Sequence, residues 1–142
     1  MLRERISVLV PTLNEEKNVA DLVRRLDVSF RAADLEYEII FIDDHSTDGT
    51  RAEIETLSGT YPVFFHLKKG KRGKAYSILE GFDIARFETI AMIDADLQYP
   101  PEALPEMCAK LHHGLDIVVA NRAERETSFL RRLLSRGFAL VF

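Results

Sequence analysis

Two aspartates, Asp94 and Asp96, stand two positions apart at the end of the apolar run Thr89 to Ile93. Residues two apart in an extended strand point the same way, so these carboxylates are expected to converge as the strand ends. Converging carboxylates repel, and a hard divalent cation resolves the repulsion. Mg²⁺ or Mn²⁺ held by one or two carboxylates completes its shell with phosphate oxygens and water. The competing use of the pair is to cap the helix that Pro100-Pro101-Glu102 opens, proline being well tolerated at a first helical position.

Three other clusters could do chemistry. Lys68-Lys69-Gly70-Lys71-Arg72-Gly73-Lys74 is the densest positive run in a chain of net charge -4. Its glycines let backbone amides turn toward a phosphate or diphosphate, with Arg72 and Lys74 as the best contacts; a solvated basic loop is the plainer account. Asp43-Asp44 closes the run Glu38 to Ile42. Buried carboxylates need donors, which a nucleobase edge or ribose hydroxyls would supply, most readily to Asp43. Helix capping by Ser46 or Thr47, with Asp44 and Asp48 in the first turn, is the alternative. Pro11-Thr12-Leu13-Asn14-Glu15-Glu16 contains no glycine, which argues against a dinucleotide fingerprint. Thr12-x-x-Glu15 is sufficient as a capping box, and the same side chains are candidates for ligand contact.

The elements that must position these clusters follow from the hydrophobic pattern. Ile6–Val10, Glu38–Ile42, Val63–Leu67, Thr89–Ile93 and Asp116–Ala120 read as five short strands. Between them lie amphipathic stretches: one with Val19, Leu22, Val23, Leu26 and Phe30 on a single face, Asp48–Leu57, Lys74–Phe87 with Ile78, Leu79 and Phe82 inward, and a helix after Pro100. Alternation of this kind gives an α/β fold, a mostly parallel sheet with helices on both faces and right-handed crossovers. Ligands of such sheets bind beyond the carboxyl ends of the strands, which is where all four clusters fall.

Composition is that of a soluble globular domain, with 46% hydrophobic and 30% charged residues in 142. The acidic balance gives no reason to expect a nucleic-acid partner. A single cysteine, Cys108, excludes an internal disulfide and reads as a small buried apolar residue. With no signal-peptide pattern and no bilayer-length apolar stretch, the chain is expected to be cytoplasmic. It reads as one domain over residues 1–142.

Four motifs in order carry a family likeness: Val10-Pro11-Thr12-x-Asn14-Glu15, Ile42-Asp43-Asp44-x-Ser46-x-Asp48-Gly49-Thr50, Gly70-Lys71-x-Gly73-Lys74-Ala75, and Asp94-Ala95-Asp96-Leu97-Gln98-x-Pro100-Pro101-Glu102. Together they resemble the family 2 inverting glycosyltransferases of GT-A fold, most of all dolichol-phosphate mannosyltransferases and bacterial polyprenyl-phosphate glycosyltransferases. The resemblance implies a nucleotide-sugar site lined by Pro11, Thr12, Asn14, Glu15, Asp43, Asp44, Arg72, Lys74 and Ala95, with metal on Asp94 and Asp96. It adds Gln98 and Arg122 to the catalytic set, although Ala120-Asn121-Arg122 stands where the family more often has Gly-Ser-Arg. Family members continue further, so the chain reads as C-terminally truncated.

The implied reaction moves a sugar from GDP-mannose or a UDP-sugar to a polyprenyl or dolichyl phosphate. That acceptor is already anionic and needs little general-base help, whereas a sugar hydroxyl would need a carboxylate base. Residues 128–142 mix Phe129, Leu130, Leu133, Leu134, Phe138 and Val141 with Arg131, Arg132 and Arg136. They fit either an amphipathic helix at the cytoplasmic membrane face or a helix packed on the sheet. A saccharide acceptor and a non-catalytic nucleotide-sugar-binding fragment are the rival functions. A metal-dependent nucleotidyltransferase is disfavoured by the glycine-free first loop.

Overall fold

The computed structural model describes residues 4–111 and 114–120. In chain order it forms β1 (Arg5–Thr12), α1 (Glu16–Ala32), β2 (Glu36–Asp43), α2 (Thr50–Leu57), β3 (Val63–Leu67), α3 (Lys74–Ile84), β4 (Thr89–Met92), a 3₁₀ turn (Pro101–Ala103) and α4 (Leu104–Leu111). The four strands make one sheet in the order β3-β2-β1-β4, and every pairing is parallel. Registry places Thr12 beside Asp43, and Asp43 beside Leu67, so the strand ends are level and their loops share one edge.

The apolar stripe of α1 behaves as its spacing demands. Val19, Leu22, Val23, Leu26 and Phe30 are all fully buried, each contributing roughly 1.5–3 kcal/mol by leaving water. They pack with Ile6, Val8, Val10, Ile39 and Phe41 from one face of the sheet, joined by Ile54 of α2 and by Leu104 and Cys108 of α4. The opposite face is covered by α3 over the smaller cluster Leu9, Ile40 and Ile42.

Helix α3 departs from its sequence pattern. Ser77 and Gly81 are its buried positions, while Leu79 and Phe82 are exposed and Ile78 is half-buried. Gly81 permits the approach, since a Cβ there would lie 2.8 Å from Leu9 Cδ1. The helix stops at Ile84, three residues short of the expected end, because a buried carboxylate captures the chain. Glu38 accepts the Arg86 N–H at 2.8 Å and Arg86 Nε at 2.6 Å, while Ser7 Oγ accepts the Phe87 N–H at 3.1 Å.

The expected fifth strand is absent among the described residues. Residues 115–120 run without strand pairing, and Ile117 and Val119 are 78% and 80% exposed. A β-branched run has strand propensity, but a strand needs a partner to satisfy its backbone. The suggested helix over 128–142 lies outside the described residues. No described helix is long and apolar enough to cross a membrane.

Candidate active site

The four loops beyond the strand ends are fastened to one another. The first junction joins the loops after β1 and β2. Asn14 stands at φ 55°, donates its N–H to Ser46 Oγ at 2.8 Å, and accepts the Thr47 N–H on Oδ1 at 2.8 Å. The expected Thr12–Glu15 capping box does not form. Thr12 stays in β1 with Oγ1 donating to the Val10 carbonyl, so its hydroxyl is unavailable to a helix that starts four residues later. Instead, Asp48 Oδ2 accepts the Glu16 N–H at 3.3 Å, Thr50 Oγ1 accepts the Glu15 N–H at 2.9 Å, and Glu16 Oε2 accepts the Gly49 N–H at 3.1 Å. Asp48 also takes the Thr50 N–H at 3.0 Å, so α2 begins at Thr50 and Asp48 lies just outside it.

The second junction joins the acidic and basic loops. Asp44 Oδ2 accepts the Gly73 N–H at 2.9 Å and pairs with Lys68 Nζ at 2.9 Å. The Gly73 amide and the Lys68 ammonium hold the Asp44 carboxyl below its ordinary range. Lys68 is fully buried and also donates to the Gly73 carbonyl at 3.0 Å. Asp44 Oδ1 is buried and has no hydrogen-bond partner among the described residues. A buried acceptor of that kind calls for a donor from elsewhere. Asp43, by contrast, is satisfied internally: Ser46 donates its N–H to Oδ2 at 2.9 Å and its hydroxyl to Oδ1.

Amides of the basic loop are likewise spent on carboxylates. Glu80 accepts the Gly70 N–H at 2.5 Å and the Lys69 N–H at 3.0 Å, and meets His66 Nε2 at 2.8 Å. These donors, the Lys69 amide first, pull the Glu80 carboxyl down to about 2. The amides of both glycines are thus taken, and the loop presents the exposed side-chain charges of Lys71 and Arg72.

The third junction joins the start of α3 to the loop after β4. Lys74 Nζ forms an ion pair with Asp94 Oδ1. The strand ends at Met92, and Ala95-Asp96 forms a turn followed by Leu97 at φ 58°. Asp96 is thus presented by a turn, and both aspartates lie beyond the paired strand in which the alternation placed them. Asp96 is exposed, and its Oδ1 accepts the Gln98 N–H at 3.1 Å. Asp94 and Asp96 are carboxylates, the donor type that a hard divalent ion takes. Among the described residues no group of three or more His, Cys, Asp or Glu could hold a metal ion.

Of the other expected contacts, Pro11 is half-buried in β1 and Glu15 is half-buried, accepting Asn18 Nδ2 at 2.7 Å. Ala95 turns its side chain into the main core, so contact with a ligand would fall to its backbone. Arg122 lies outside the described residues. Motif reading overlooks Glu80, and it places Lys68 in the basic run without showing its buried pairing with Asp44. A period-two signal could have found Lys68, since Phe64, His66 and Lys68 share the strand parity that faces α3.

This acidic, basic and Asp-x-Asp edge lies within a known family. The glycosyl transferase family 2 model matches residues 7–139. The chain belongs to that family. It is 33% identical over 142 residues to a dolichol-phosphate mannosyltransferase of Pyrococcus furiosus, covering 96% of this chain and 40% of that protein. It is 33% identical over 136 residues to the undecaprenyl-phosphate 4-deoxy-4-formamido-L-arabinose transferase of Klebsiella pneumoniae, covering 94% and 41%. Among solved structures, the mannosyltransferase PcManGT of Pyrobaculum calidifontis, in complex with GDP-Man and Mn²⁺, superposes with TM-score 0.58 at 26% identity, covering 75% of this chain and 32% of that one. The chain thus spans about two fifths of the length of the curated relatives it matches. Its fold is a parallel sheet with flanking helices of the GT-A kind.

Proposed function

We propose that this chain is the donor-binding part of a metal-dependent, inverting glycosyltransferase that moves a sugar from a nucleoside-diphosphate sugar to a polyprenyl or dolichyl phosphate. The observation that carries the reading is the linkage of Asp44 to Lys68 and Lys74 to Asp94, which gathers acidic, basic and Asp-x-Asp loops on one edge. Asp44 Oδ1 is the acceptor for a hydroxyl or imino hydrogen of the nucleoside. Lys71 and Arg72 give the loop the charge to hold a diphosphate. Asp94 and Asp96 would hold Mg²⁺ or Mn²⁺, which when bound stabilises the departing nucleoside diphosphate as a Lewis acid. Gln98 and Arg122 complete the catalytic set proposed from the motifs.

A phosphate acceptor is favoured over a sugar hydroxyl by what Glu102 does. It is the carboxylate nearest in sequence after the Asp-x-Asp turn, and Arg25 binds it twice, at 2.7 and 2.8 Å. The Arg25 guanidinium lowers its pKa, which makes it a poor general base. An anionic acceptor needs no such base. The lipid tail of that acceptor would place the protein at the cytoplasmic membrane face.

Calorimetric titration with GDP-mannose and UDP-sugars, with and without Mn²⁺, on the wild type and Asp96→Asn tests the donor site. Binding that ignores both metal and substitution would overturn it. Transfer assays offering polyprenyl phosphate beside a saccharide test the acceptor, and transfer to the saccharide alone would refute the lipid assignment.

A further inference from the structure

We propose that Lys74 and the divalent cation are alternative partners of Asp94, so that metal entry releases Lys74 to the donor diphosphate. This deepens the donor-site reading above and rests on it. Both members of the Lys74–Asp94 pair are accessible, at 59% and 35% side-chain exposure. That sets them apart from Lys68, whose side chain is 0% exposed in its pair with Asp44. Accessible pairs contribute little to stability and exchange easily. The Asp44 pair is a fixed strut, and the Asp94 pair is a replaceable one.

Position on the helix supports the exchange. Lys74 is the first residue of α3, which has no side-chain cap and no acidic residue in its first turn. A cation at a helix N-terminus opposes the helix dipole, and an anion there is welcomed. In the present arrangement Asp44 holds the Gly73 amide at the helix start, and Asp94 holds the Lys74 ammonium. Once a divalent ion claims the Asp94 carboxylate, the Lys74 ammonium loses that partner while the Gly73 amide keeps Asp44. Lys71 and Arg72 sit just before them. The diphosphate that accompanies the metal is the anion this end of the sheet would then attract.

The consequence is a coupling. Metal alone must displace Lys74 without any return for the ammonium, whereas metal with nucleotide gives Lys74 a new partner. Mn²⁺ binding to the 142-residue chain, followed by calorimetry or by the free-ion electron paramagnetic resonance signal, tests this in the absence and presence of GDP or UDP. Lys74→Met should bind Mn²⁺ alone about tenfold more tightly than wild type, the scale expected for removing one screened positive charge beside a divalent ion. Lys74→Arg should stay near wild type. The enhancement of Mn²⁺ affinity by GDP or UDP should be smaller in Lys74→Met, as reciprocal linkage requires. Mn²⁺ binding that depends on Asp94, judged with Asp94→Asn, but is equal in wild type and Lys74→Met would overturn the exchange and leave the donor site standing. Absence of any Asp94-dependent Mn²⁺ binding, with or without nucleotide, would overturn both.

Discussion

Lys68 is the first residue beyond β3, and its ammonium lies 2.9 Å from Asp44 Oδ2 with the lysine side chain wholly out of water. A buried ion pair is costly to break from one side, because the remaining charge is stranded. Lys68→Met should therefore destabilise the chain by about 2–4 kcal/mol near neutral pH in urea unfolding. Asp44 has a lowered folded pKa, so its contribution is complete above the ordinary value of 3.8 and fades as pH falls through the folded one. The gap between wild type and Lys68→Met should close over that acid range. A gap independent of pH would show that the pair is not its origin.

Glu80 gives a second acid-range signature. Its folded pKa is about 2 against an ordinary 4.5, so the stability it supplies is present above 4.5 and lost as pH falls toward 2. Glu80→Gln should flatten the stability profile in that window. Amide exchange at Lys69 and Gly70 should also quicken in the variant, since both N–H groups lose a charged acceptor. Unchanged exchange at those two amides would count against the clamp.

Gly81→Ala sets helix propensity against packing. Alanine in a helix interior gains about 1 kcal/mol over glycine. Here its Cβ would meet Leu9 Cδ1 at 2.8 Å and Ile42 Cδ1 at 3.1 Å, both on fully buried side chains. Overpacking of this kind costs about 1–3 kcal/mol, so the variant should be less stable than wild type. A raised urea midpoint would mean that α3 shifts outward freely.

Asn14 separates backbone from side-chain effects. At φ 55° it occupies the left-handed region, which glycine and asparagine enter readily and alanine does not. Both Asn14→Gly and Asn14→Ala lose the bonds from the Thr47 N–H and hydroxyl, and Asn14→Ala alone adds backbone strain. The alanine variant should be less stable than the glycine variant by about 1 kcal/mol. Equal stabilities would show that the turn relaxes.

Much of this architecture is legible in the residues alone, for reasons that differ by element. The stripe of α1 is read directly because burial of Leu22 or Phe30 needs only one face of one helix. Strands β1 to β4 are read from apolar runs whose ends coincide with Pro11, Asp43, Lys68 and Asp94. What escapes is anything decided by a distant partner. Helix α3 ends early because Glu38 on another strand takes the Arg86 amide. Residues 116–120 have strand composition but no strand beside them among the described residues. At the site, Asp43 looks more available than Asp44 in the sequence, but Ser46 folds back on Asp43, and the oxygen without a partner among the described residues is Asp44 Oδ1. Single motifs name the residues, but the hydrogen-bond geometry decides which carboxylate oxygen is left over.

The crossed bonds at the starts of α1 and α2 bear on how the molecule can be rebuilt. Glu16 serves the Gly49 amide while Asp48 serves the Glu16 amide, and a Cβ on Gly49 would meet Glu16 Oε1 at 2.5 Å. Neither loop can be lengthened by itself without unseating the other helix. Insertions, tags or permuted termini are better placed in the turn between α2 and β3, where Ser58, Gly59 and Thr60 are exposed and engaged mainly with the preceding helix. The segments between β1 and α1 and between β2 and α2 tolerate variation only as a matched set.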